Sequence, residues 1–64
     1  MQVTLKAARI NAGLTQKQAA EELNVSKDSI SNWERGKSFP DVMDIQKIEK
    51  VYGVTYADII FLSS

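Results

Sequence analysis

Between Leu14 and Gly36 the chain reads LTQKQAAEELNVSKDSISNWERG, and this stretch constrains the fold more than any other. Thr15, with Gln18 three positions later, makes a capping box, so a helix opens there. Ala19, Ala20 and Leu23 form its inner face, and the small alanines let a second helix approach closely. Asn24 tolerates the left-handed backbone that a tight turn needs. Val25 can plug the space between helices, and Ser26 caps the helix that follows. Two short helices joined by Asn24-Val25-Ser26 are therefore expected, the second ending near Arg35 with Gly36 just past it.

Three further helix signals surround this pair. Thr4 caps a first helix through about Ala12, with Leu5, Ala8 and Ala12 on its inner stripe and Gly13 closing it. Lys37–Phe39 reads as a loop. Pro40 suits the start of a fourth helix because it lacks the amide proton that would go unpaired there. Val42, Ile45, Ile48 and Tyr52 fall on one stripe, and Gly53 stops the helix. Thr55 with Asp58 caps a last helix carrying Ile59 and Leu62. No strand alternation or internal repeat is evident, so the spacing predicts an all-α fold of five helices, one domain over residues 1–64.

A chain of 64 residues without cysteine must hold together by apolar packing alone. The absence of cysteine and histidine removes the usual zinc, disulfide and nucleophilic chemistries. With no glycine-rich phosphate loop either, the reading is of a protein that is not an enzyme, binds no metal or cofactor, and has no evident small-molecule ligand. No apolar run approaches a membrane span and no leader precedes the first helix, which makes the expected location cytoplasmic. Eight basic and eight acidic residues give zero net charge, against a generic polyanion binder. Lys17, Lys27, Arg35 and Lys37 balance Glu21, Glu22, Asp28 and Glu34 even within the central stretch. Any affinity for nucleic acid must come from where the charges point.

At about 100° per residue, Ile30 and Trp33 set the inner direction of the third helix. The opposite side carries Lys27, Asp28, Ser31, Asn32 and Arg35. Asn can pair with adenine, Lys can donate to guanine, and Asp can accept from cytosine in a major groove. Outward polar residues are also the ordinary solvated face of a surface helix. Gln16, first in the second helix, lies beside exposed backbone N–H groups where a phosphate is welcomed, and it also reads as a plain surface glutamine.

Arg9, Leu14-Thr15-Gln16, Ala19-Ala20, Leu23, Val25-Ser26, Ile30, Trp33-Glu34, Gly36-Lys37, Pro40, Ile45, Ile48 and Gly53-Val54 together resemble the DNA-binding domain of the Xre/Cro/cI-type phage repressors. The resemblance spans about Leu5 to Leu62. It implies a compact five-helix, lambda-repressor-like domain with a helix-turn-helix in helices two and three. It further implies that Lys27, Asp28 and Asn32, with Ser31 nearby, read bases. Gln16 would then bridge a phosphate and the third helix, and Lys17, Ser29, Arg35 and Lys37 would lie at phosphates, which give affinity and register. Arg9 and Glu34 would form an ion pair between helices one and three. Glu49 departs from the family pattern, either reaching water at the edge of the stripe or pairing with a lysine such as Lys6. Asp28 facing the groove costs nonspecific affinity, so it fits only by accepting from a cytosine amine or steering Lys27.

Members of this class bind as homodimers on palindromic or pseudo-palindromic double-stranded operators, and Ile60 and Phe61, on the last helix but partly outside the core, are the candidate dimer contact. The function expected is a sequence-specific transcriptional regulator, a repressor by analogy. The alternative is a protein-interaction module of the same fold, of antitoxin or antirepressor type, which zero net charge favours. No residue identifies the operator, the target genes or an effector.

Overall fold

The computed structural model describes residues 2–62. Its elements run β1 (Val3–Thr4), α1 (Leu5–Asn11), α2 (Gln16–Leu23), α3 (Lys27–Glu34), α4 (Val42–Tyr52), a 3-10 turn (Tyr56–Asp58) and β2 (Ile59–Ile60). One core of Leu5, Ala8, Ala19, Ala20, Leu23, Ile30, Trp33, Ile48, Tyr52 and Ile59 joins all four α-helices. Leu23, Ile30 and Ile48 are the largest side chains withdrawn fully from water, worth roughly 1.5–3 kcal/mol each.

Side-chain caps start the helices. Thr4, Thr15, Ser26 and Asp41 each accept the backbone N–H three residues on, and Thr15 and Asp41 complete reciprocal boxes with Gln18 and Asp44. Left-handed residues stop them: Gly13, Asn24, Gly36 and Gly53 all have positive φ. After α1, α2 and α3 the next amide reaches five residues back: Leu14 to Arg9, Val25 to Ala20, Lys37 to Asn32. This closure usually brings an apolar residue to rest on the helix end. Leu14, Val25 and, after Gly53, Val54 do pack against the core. In the same position after α3 stands Lys37, exposed.

The chain departs from the five-helix expectation at its C-terminal end. Thr55 caps nothing; its hydroxyl donates to the Asp58 carboxylate across 3.0 Å instead of accepting a backbone N–H. Only a 3-10 turn forms, and the β-branched Ile59-Ile60 then extends beside Val3–Thr4 as a parallel pair, Val3 opposite Ile59 and Thr4 opposite Ile60. Among the described residues the fold is thus mostly helical, with four α-helices and a strand pair that sequence alternation did not announce. Along an extended segment side chains alternate: Ile59 is buried, Ile60 exposed, Phe61 half-buried and Leu62 exposed. Leu62 is accordingly not core.

Three smaller departures share a cause in helix boundaries. Ala12 is exposed because α1 ends at Asn11 and Ala12 lies in the turn. Asp41, not Pro40, is the cap of α4, so Pro40 precedes the cap rather than opening the helix. Val42 is therefore the first residue of α4, beyond the reach of the core and 74% exposed. Glu49 pairs with no lysine among the described residues: half-buried at the edge of the stripe, its carboxylate accepts the Tyr56 N–H at 2.8 Å and ties α4 to the following turn.

Candidate nucleic-acid interface

The orientation of α3 follows from three buried residues, Ile30, Trp33 and Glu34. With these turned inward, Lys27, Asp28 and Arg35 are exposed and Ser29, Ser31 and Asn32 half-buried. Asp28 in the first turn complements the positive end of the helix dipole. Ser29 is partly engaged already, its Oγ lying 3.0 Å from that of Ser26 while its N–H donates to the same cap oxygen. Lys37 stands exposed on the turn fixed by the Lys37 N–H to Asn32 carbonyl bond of 2.9 Å.

Behind this face lies a buried polar network. Arg9 Nε donates to Glu34 Oε2 at 2.6 Å and Nη2 to Oε1 at 3.2 Å, a two-pronged bond, while Nη1 donates to the Leu14 carbonyl at 2.9 Å. Gln16 Nε2 donates to the same Oε1 at 3.1 Å. The Glu34 carboxylate therefore joins α1, the first residue of α2 and the end of α3, and Arg9 ties in the turn before α2. Glu34 raises the Arg9 pKa above its ordinary value, chiefly through these hydrogen bonds. Burial, with the nearby Glu34 charge, pushes the Tyr52 hydroxyl up to about 12.

The arrangement brings Gln16 to α3 by way of Glu34 and leaves one Nε2 hydrogen for another acceptor. Lys17 is exposed beside it in the first turn of α2. On α3 itself, Arg35 Nη2 donates to Asn32 Oδ1 at 3.1 Å, a pairing that side-chain identity alone did not reveal, although the i,i+3 spacing permits it. Lys47 Nζ also reaches the Leu23 carbonyl at 3.4 Å, docking α4 on the end of α2.

Phe61 belongs to a different patch, whose lining does not include the exposed Ile60. Phe61 meets Phe39 edge-on at 6.2 Å and Tyr56 at 5.8 Å between ring centroids. Together with Pro40, Val42 and Ile45 these rings line an open apolar groove of about 600 Å³. The loop aromatics Phe39 and Tyr56 were the available signal for it. Among the described residues no helix is long and apolar enough to cross a membrane.

The Helix-turn-helix family model matches residues 5–59. Over 51 residues, 80% of this chain, the sequence is 45% identical to the HTH-type transcriptional regulator ImmR of Bacillus subtilis (strain 168). Over 56 residues, 88% of the chain, it is 39% identical to the HTH-type transcriptional activator BcrR of Enterococcus faecalis. These matches span 40% and 28% of the two relatives' own lengths. No solved structure matches the chain significantly.

Proposed function

Because this chain belongs to the Xre-type helix-turn-helix family of DNA-binding transcriptional regulators, we propose that it recognises a specific double-stranded operator by seating α3 in the major groove. The observation that carries this reading is the division of α3 into two sides. Ile30, Trp33 and Glu34 are locked into the core, leaving Lys27, Asp28, Ser31 and Asn32 as base readers. Gln16, Lys17, Ser29, Arg35 and Lys37 are then the phosphate contacts that fix register. Lys37 supports this: the end of α3 carries a cation where α1, α2 and α4 carry Leu14, Val25 and Val54.

One recognition helix spans only a few base pairs. Half-sites lie roughly 34 Å apart, more than the 26 Å longest extent of one copy. Two copies on a palindromic or pseudo-palindromic operator meet this requirement, self-associating through Ile60, Phe61 and the adjacent groove. Repression needs only occupancy of a promoter and is the outcome we propose; the Enterococcus relative is named an activator, which requires a productive contact as well.

Selection from random duplexes with the purified protein, followed by footprinting, tests the reading. Paired half-sites one helical turn apart are expected. An operator titration that perturbs only the Ile59–Leu62 end and leaves α3 unchanged would overturn it.

The apolar groove of Phe39, Val42, Tyr56 and Phe61 favours a second reading, a protein-interaction module with little DNA reading of its own. In that case Phe61→Ala abolishes activity while Asn32→Ala and Lys27→Ala leave it intact.

A further inference from the structure

We propose that Arg35 determines which base Asn32 reads, making the pair a donor-rich, positively charged unit that selects guanine instead of the adenine an isolated asparagine favours. The inference rests on the DNA reading above and departs from it at Arg35, which becomes a specificity-determining positioning residue in place of a phosphate contact.

The argument begins with the orientation of one amide. A guanidinium only donates, so the atom of Asn32 that faces Arg35 Nη2 at 3.1 Å must be the carbonyl oxygen. Reading adenine bidentately needs both ends of the amide, Oδ1 accepting from N6 and Nδ2 donating to N7. Here one of the two Oδ1 lone pairs is taken by a cation, and the charge beside it disfavours a second donor there, while the Nδ2 amine stays free to donate. A donor-rich edge beside a positive charge disfavours the adenine N6 amine. It complements guanine, which presents two acceptors, N7 and O6, to the major groove.

The backbone supports the pairing. Arg35 is the residue at which α3 stops, with φ −93° and ψ −1°. The Asn32 carbonyl is held from the other side by the N–H groups of Lys37 at 2.9 Å and Ser38 at 3.4 Å. Asn32 is thus fixed at its main chain by the turn and at its side chain by Arg35. An arginine anchored on a base-reading residue is drawn along the helix face, away from the reach of a free side chain to the phosphates.

Random-duplex selection with the wild-type chain, Asn32→Ala and Arg35→Ala tests this. Arg35 is exposed, and circular dichroism checks that the variants fold. The half-site position that loses its preference in Asn32→Ala should be guanine in the wild type. It should switch to adenine in Arg35→Ala, by roughly tenfold in relative affinity, with the other positions unchanged. The dependence of affinity on salt should keep its slope in Arg35→Ala. Wild-type preference for adenine at that position overturns the proposal. So does an Arg35→Ala variant that binds every sequence more weakly with an unchanged motif and a shallower salt slope, the signature of a phosphate contact. A wild-type chain that selects no sequence overturns the DNA reading itself, an outcome distinct from either.

Discussion

Arg9 grips Glu34 with two guanidinium nitrogens while both residues are more than nine-tenths buried, at 7% and 8% exposure. Removing one partner strands a charge away from water, so Arg9→Ala or Glu34→Ala should each cost about 3–5 kcal/mol in urea unfolding. The double replacement Arg9→Met with Glu34→Leu should cost less than either single change, because no charge is left unmatched. Equal losses in all three variants would contradict this account.

Tyr52 supplies a pH signature. Its hydroxyl holds its proton more tightly in the folded chain, at about 12 against the ordinary 10.0. The stability this contributes is complete below pH 10 and is lost as pH rises towards 12, amounting to about 3 kcal/mol at most. Tyr52→Phe should flatten that part of the stability profile, measured as the difference between the two proteins across pH 9 to about 12.

Lys37 is expected to act on DNA through charge alone. Lys37→Ala should weaken binding to all duplexes alike and reduce the slope of log affinity against log salt by about 0.9. Unfolding should be unchanged, since the Lys37 contribution to the turn is its backbone N–H.

Lys27→Ala and Asn32→Ala should instead cost about 1–3 kcal/mol on the selected operator and little on random duplex. A competition assay with both DNAs reads the difference directly.

Ile60 is exposed and its side chain contributes little to the core. Ile60→Asp should therefore leave melting nearly unaltered while lowering self-association and operator affinity, measured by sedimentation and gel shift. Unaltered sedimentation and operator binding would remove Ile60 from the contact between copies.

Much of the fold could be read in the sequence because its helix boundaries are written by local chemistry. Thr15 with Gln18, Ser26, and the left-handed Asn24 and Gly36 act within three or four residues of themselves. The C-terminal end departs from the helical expectation because Thr55 and Asp58 have the spacing of a cap, yet the Thr55 hydroxyl donates to the Asp58 carboxylate. What decides Ile59-Ile60 is the distant Val3–Thr4 strand, which no local window contains. Likewise the outward face of α3 followed from periodicity, whereas the engagement of Gln16 by Glu34 and of Asn32 by Arg35 depends on side-chain rotamers. Helical spacing permits such bonds without requiring them.

The pairing of Val3 with Ile59 brackets almost the whole described chain. Closing so long a loop is entropically unfavourable, and two residue pairs offer little in return. The strands must therefore wait for the helices to collapse first, making this seam the last part to form and the first to open. Deuterium uptake there should report fraying well before α2 and α3 come apart.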